Sequence, residues 1–304
     1  MASARANRIK DSSSDRLFLF LDWSLLIILV VVITIPLLNV VSSSLSAPSA
    51  VGAGKVFLLP KGFNIDAYKA LTKEKQILTG FGNTLIYAIA GTCLNVVMTV
   101  MCAYPLSRRE LVGKKGIMFY FTFTMLFSGG MMPTYLLIKS LGLTNTRWVM
   151  ILPGAMTVYN MIIARTFFMN TIPQEMNEAA EIDGASDMRL IFSIVLPLSA
   201  PILAVLTLFY AVGHWNAFFD CFLYITDPKL FNLQVVLRNF IANIKAMMDS
   251  SGITDSIAAQ QDVALFQEVL KYAIIVFTSI PILVVYPFVQ KYFVKGVMIG
   301  SLKG

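Results

Sequence analysis

Few side chains in this sequence are suited to chemistry, and they are unevenly placed. The segment QEMNEAAEIDGASDMRL, residues 174 to 190, holds Glu175, Glu178, Glu181, Asp183 and Asp187, five of the seventeen acidic residues in a chain of 304. There is one histidine, His214, and three cysteines, Cys93, Cys102 and Cys221. A metal-dependent enzyme needs several His, Cys, Asp or Glu ligands, and these residues show no ligand spacing. A serine protease needs its histidine opposite an activated serine, and no GxSxG motif is present. A phosphate-cradling loop needs GxxxxGK followed by Ser or Thr. The nearest run, VGAGKVF, has Val56 after Lys55 and lacks the upstream glycine. The chain is therefore read as a non-enzyme that binds no cofactor or metal. His214 reads as a satisfied or interfacial residue, and the thiols as small apolar side chains.

What positions the acidic segment is set by composition. The chain is 57% hydrophobic and 13% charged, with mean hydropathy +0.73, whereas soluble domains carry roughly 25% charged residues. It belongs in a membrane. The net charge of +7 does not point to nucleic acid, because Lys and Arg flank apolar runs instead of gathering on one soluble face. A helix crossing a ~30 Å hydrocarbon core needs about 20 apolar residues. Six such runs are read at 17–41, 84–106, 119–138, 148–168, 191–212 and 272–293. The first is too long for a signal-peptide core and reads as an uncleaved span. Gly129, Gly130 and Pro133 should break or bend the third helix, and Pro153 with Gly154 the fourth. Span centres hold no carboxylate, which argues against a proton-coupled carrier.

Lys and Arg in short loops set orientation. The tail 1–16, the loop SRRELVGKKG and the end 295–304 are basic, so both termini are expected in the cytoplasm. Segments 42–80 and 214–270 then face outward, and the loop 171–190 faces inward. Within that loop Thr171 and Gln174 fit a capping box with Pro173 in the first turn. At about 100° per residue, Glu175, Glu178 and Glu181 fall on one arc and Met176, Ala179, Ala180 and Gly184 on another, with Asp183 intruding. Gly184 suits a left-handed helix end, and Ser186 a second cap. A small-residue face buries little area but lets another backbone come close. An ordinary solvated acidic loop is the alternative.

The stretch EAAEIDGASDMRLIFSIVLP resembles the loop that marks membrane subunits of binding-protein-dependent ABC importers. That pattern is EAA, three residues, Gly, nine residues, Ile, one residue, Leu-Pro, and Glu178, Ala179, Ala180, Gly184, Ile194, Leu196 and Pro197 fill it. NTLIYAI at 83–89, FSGGMMPTYLL within 127–137, the pair Trp215-Asn216 and the ending KGVMIGSLKG are similar to the carbohydrate-uptake branch. That branch includes the smaller maltose permease subunit and Gram-positive polysaccharide or oligosaccharide permeases. The resemblance implies an all-α integral membrane fold of about six transmembrane helices, the type I importer permease fold, in a bacterial cell membrane. It implies that 171–190 is a coupling helix seated on a cytoplasmic ATPase, with Ala179 and Ala180 allowing close docking. Gly184 would supply the bend, and Glu178 and Asp183 would meet the rim. The implied partners are a second, non-identical permease, two ATPase subunits holding ATP and Mg, and an extracellular substrate-binding protein. A sugar or oligosaccharide is the implied substrate; a peptide, polyamine or amino acid is the alternative.

Candidates for the substrate path lie in GHWNAFFDCFLYITDP, where Trp215 and Phe219 can stack on sugar rings and Asn216 and Asp220 can bond hydroxyls. Aromatics at a membrane edge also form an ordinary interfacial belt. Asn83, Asn95 and Tyr159 either face the path or bond a neighbouring helix. Gly296, Gly300 and Lys303 lie in a tail too glycine-rich to hold a helix unaided. In some relatives this tail reaches between the ATPase subunits, and a frayed end is the alternative.

Overall fold

The computed structural model describes residues 12–250 and 257–301. Among them every regular element is a helix. In chain order these are α1 (Ser13–Ser44), α2 (Pro48–Gly52), α3 (Asp66–Lys73), α4 (Lys75–Ser107), α5 (Lys114–Leu126), α6 (Met131–Ser140), α7 (Val158–Thr171), α8 (Gln174–Ile182), α9 (Asp187–Leu190), α10 (Leu196–Leu198), α11 (Ala200–Trp215), α12 (Phe218–Tyr224), α13 (Leu233–Ser250) and α14 (Ile257–Ser301). A π-turn at Ile191–Val195 joins α9 to α10.

Three helical stretches are long and apolar enough to cross a membrane: Ser14–Ser44, Lys75–Ser107 and Asp262–Pro287. Two bent pairs bring the number of candidate spans among the described residues to five. The run expected as one span at 119–138 is such a pair, α5 and α6, meeting at 110°. The break falls at Gly129 and Gly130, where Gly130 has φ 86°, a conformation a Cβ disfavours. The run expected at 191–212 is also bent, by 82°, between Asp187–Leu198 and Ala200–Trp215. Pro197 and Pro201 withhold backbone donors there. The run expected at 148–168 starts late, because Pro153 and Gly154 (φ 80°) keep the chain irregular until α7. With 14 residues, α7 is about 21 Å long. Segments 42–80 and 214–270, expected as outer loops, contain α2 and α3, and α12 and α13, respectively.

The bilayer setting shows in where polar groups go. Leu, Ile and Val side chains along α1 are exposed, while Asn83, Thr84, Thr92, Asn95, Thr99 and Asn160 are buried. Hydroxyls on exposed faces return to a carbonyl four residues back, as Ser24 does to Phe20 and Thr207 to Leu203, which spares them an unpaired state in lipid.

The chain forms two compact units. The first comprises residues 1–70 and 246–278. Here the end of α1 is wrapped by the following loop: Asn39 donates to the carbonyls of Val56 and Phe57, Ser42 to Leu58, and the Tyr68 hydroxyl to Ser44 Oγ. Gly52 of α2 lies against Leu265, with no room for a Cβ.

The second unit comprises residues 71–245 and 279–304. Its centre is α4 packed on α7 and α11. One buried cluster gathers Val100, Ala103 and Tyr104 of α4 with Met161, Ala164 and Phe168 of α7 and Leu206 and Tyr210 of α11. A second surrounds Tyr87 with Ile138, Met150, Cys221, Tyr224 and Val235. From Tyr87 to Tyr104 along α4 is about 25 Å, so the clusters occupy opposite ends. Between them runs a polar ladder. His214 Nε2 lies 2.7 Å from Asn95 Oδ1, and Asn95 Nδ2 donates to the Gly154 carbonyl at 2.7 Å. The Tyr210 hydroxyl meets Thr99 Oγ1 at 2.7 Å and accepts from the Thr157 N–H. Both helices contribute residues four apart, so one face of each is matched. At Gly91 a Cβ would run into the His214 imidazole; glycine there permits the close crossing.

Candidate functional site

The acidic segment folds as a helix, a glycine turn and a second, capped helix. Thr171 ends α7 and α8 starts at Gln174, directly after Pro173; the capping box expected from Thr171 and Gln174 rests on a side chain outside those described. At its far end Gly184 has φ 73°. The Ala185 N–H donates to the Ala180 carbonyl at 2.9 Å and the Asp183 N–H to Ala179 at 3.0 Å, a glycine-dependent closure of the helix end. Ser186 Oγ then accepts from the Arg189 N–H and starts α9.

Packing divides the small-residue arc. Ala180 is 6% exposed and sits among Phe168, Ile172 and Leu190, anchoring α8 to its own chain. Glu175, Glu178, Ala179, Asp183 and Gly184 are exposed, and Gly184 has nothing within 4 Å of a built Cβ. Ile182, not singled out in the sequence, is 86% exposed and is the apolar residue that α8 turns outward. Its type at a helix end beside Ala179 was the available signal.

Beside α8 the carboxyl end of α4 is held by three cations. Arg165 Nε donates to the Leu106 carbonyl at 2.9 Å and Lys114 Nζ to that of Arg108 at 3.0 Å, where the helix leaves carbonyls unpaired. Arg108 itself meets Glu110 Oε2 at 2.8 Å and Asp187 Oδ1 at 3.2 Å. A cavity of about 540 Å³ lies between this junction and α8, with Ser107, Arg109, Asn170 and Glu175 on its wall.

At the other end of the unit, the substrate-path candidates separate into two kinds. Asn83 is buried, with Nδ2 donating to the Lys229 and Phe231 carbonyls and Oδ1 accepting from Arg147. It fastens the segment after α12. Trp215 is buried, edge-on to Phe81 at 5.8 Å. Asn216 is exposed and bonds back to Val212. Phe219, Asp220 and Tyr159 are exposed. Asn95, by its two bonds, belongs to the ladder. Cys221 is fully buried, and its Sγ accepts from the Asn232 N–H at 3.3 Å; burial pushes this thiol up to about 11. Among the described residues no three His, Cys, Asp or Glu side chains group to hold a metal ion.

Residues 17–299 match the family described as binding-protein-dependent transport system inner membrane component. The chain belongs to this family. It is a membrane permease component of an ABC transport system. Two Bacillus subtilis proteins are similar over most of their length. The polygalacturonan/rhamnogalacturonan transport system permease protein YtcP is 38% identical, with 95% of this chain and 99% of that protein covered. The protein LplC is 40% identical, with 89% of each covered. Among solved structures, a bacterial ABC transporter involved in import of the acidic polysaccharide alginate has a chain that superposes with TM-score 0.80 at 31% identity, covering 94% of this chain and 99% of that one.

The permease keeps its last helix regular for longer than its glycine content suggests. α14 continues to Ser301 and includes Gly296 and Gly300, because extending an existing helix costs far less than starting one. Lys303 lies outside the described residues.

Proposed function

We propose that this permease forms one half of the pathway of an ATP-driven importer for oligosaccharides, specifically uronate-containing ones. The single observation that carries the reading is an exposed, acidic helix closed by Gly184, in a chain whose near-full-length relatives include a polygalacturonan/rhamnogalacturonan permease and a chain of an importer of the acidic polysaccharide alginate. α8 docks on a cytoplasmic ATPase through Glu178, Ala179, Asp183 and Gly184, while Ala180 holds it to the membrane helices. ATP and Mg reside on two such subunits. A second, non-identical permease completes the pathway, and an extracellular binding protein delivers substrate. Both termini are cytoplasmic. Of the path candidates, Tyr159, Asn216, Phe219 and Asp220 retain surface for a ligand or the binding protein, while Asn83 and Trp215 act through the fold. Gly296, Gly300 and Lys303 are tail contacts to the ATPase pair.

The test is reconstitution of the complete importer with its binding protein. Uptake of labelled oligogalacturonates, and of maltooligosaccharides of matched length, is measured alongside ATP hydrolysis. Oligogalacturonate uptake with stimulated hydrolysis supports the reading. Selective uptake of the neutral sugars removes the uronate assignment, and no sugar uptake beside uptake of peptides or polyamines removes the carbohydrate assignment.

A further inference from the structure

α8 joins the membrane helices covalently on both sides: upstream it follows α7 after Ile172 and Pro173, and its downstream route leads through α9, the π-turn and α10 into α11. That route bends by 82° at Ser199. A displacement entering at α8 can be absorbed at such a joint unless a second contact constrains the lever. One contact that crosses from this lever to another helix by charge is Arg108 with Asp187. Arg108 caps the end of α4, and its side chain is only 13% exposed although Asp187 is 81% exposed. Its guanidinium reaches two carboxylates from different segments: Nε and Nη2 meet Glu110, and Nη1 meets Asp187. The planar fork makes that possible, and a lysine would offer a single point charge. The end of α4 is in turn immobilised by Arg165 of α7 and by Lys114 at the start of α5. The arginine therefore stands between the segment following α8 and a junction of three membrane helices.

We propose that Arg108 is a positioning residue for coupling: it links the segment after α8 directly to α4, so that motion of the docked helix reaches α4 as well as α11. The two arms then meet again at the ladder, where Asn95 and Thr99 of α4 bond His214 and Tyr210 of α11. This inference rests on reading α8 as the segment that docks on the ATPase.

The experiment uses the complete importer in lipid nanodiscs with its binding protein. Permeases carrying Arg108→Gln, Arg108→Lys, Asp187→Asn and the exchange of Arg108→Asp with Asp187→Arg are compared with wild type. Three quantities are read: retained ATPase subunit, basal hydrolysis, and hydrolysis stimulated by loaded binding protein. Arg108→Gln and Asp187→Asn are expected to retain the ATPase and basal hydrolysis while stimulation falls about five-fold or more, the range of ordinary coupling free energies. Arg108→Lys recovers part of it, and the exchange recovers more than either single charge-removing variant. Stimulation within about two-fold of wild type in Asp187→Asn, or an assembled exchange variant no better than the single ones, overturns the proposal. Should Arg108→Gln fail to assemble, Asp187→Asn, which leaves the arginine paired with Glu110, carries the same test. Failure of the docking reading itself shows separately, as Gly184→Ala, Gly184→Asn and Gly184→Asp importers that all keep their ATPase and full stimulation.

Discussion

Substitution of Gly184 separates two reasons for having glycine there. Its φ of 73° costs an ordinary L-residue about 1–2 kcal/mol, and asparagine less because its side chain tolerates this region. A clash within the chain contributes nothing, since a Cβ built there finds no atom within 4 Å. A Cβ added there therefore projects into open space, which the docking proposal assigns to the ATPase. If the turn alone matters, the defect follows strain and Gly184→Ala is worse than Gly184→Asn. If clearance matters, the defect follows bulk, and Gly184→Asn and Gly184→Asp are worse than Gly184→Ala. The surroundings favour clearance: the helix end is exposed, so strain of about 1–2 kcal/mol is spread over a helix anchored independently by Ala180. The assay is ATPase subunit co-purified with tagged permease, with stimulated hydrolysis on the same samples. The expected result is retention reduced less than about ten-fold in Ala and more than about ten-fold in Asn and Asp, one decade being about 1.4 kcal/mol. Asn at wild-type level beside a defective Ala refutes the clearance argument. All three at wild-type level refute docking at α8.

Two further outcomes follow from other parts of the unit. Gly91→Ala drives a methyl into the His214 ring and should lower the stability of the purified permease by about 1–3 kcal/mol, the usual cost of overpacking; adding His214→Ala should restore part of it, as read by thermal challenge followed by gel filtration. Cys221, with its thiol pushed up to about 11 by burial, is protonated throughout the neutral range, so the reactive thiolate is favoured only as pH rises towards that value. Maleimide should label it only after denaturation, its native labelling rate rising about ten-fold per pH unit where it is measurable at all; native labelling at neutral pH to the extent seen in detergent-denatured protein would contradict the burial.

The helix–turn–helix form of residues 174–190 was legible because its information is local. Glu178, Ala179, Ala180 and Gly184 lie within seven residues, and the left-handed turn and the Ser186 cap depend on neighbours at most five positions away. Spans were legible from composition, but not their shapes: glycine and proline mark where α5 and α6 part, while the 110° angle depends on packing. The outer candidates were less legible. Asn83 resembled a pathway residue until its partners appeared at Lys229 and Phe231, 146 and 148 positions along the chain. Arg108 read as one more positive-inside charge, and its role depends on Asp187, 79 positions away. Ala180 was grouped with Ala179 by helical angle; the core beneath α8 places one inward and leaves the other exposed.

The ladder between α4 and α11 limits how firmly these helices are joined. In lipid the hydrophobic effect gives little preference for helix against helix, and association depends on close packing and interhelical hydrogen bonds averaging about 0.6 kcal/mol each. His214 with Asn95 and Tyr210 with Thr99 then contribute about 1 kcal/mol together, beside the packing that Gly91 permits. That is comparable with the 1–3 kcal/mol typical of coupling between sites. A much stronger crossing would resist rearrangement, and one without the bonds would let α11 slip past α4 when the segment after α8 is displaced. The observed crossing lies between these limits, so α4 and α11 can move as a pair under the coupling load while remaining separable. An apolar replacement of the ladder, leaving Gly91 in place, would keep the packing and lose the matched register of the two helices.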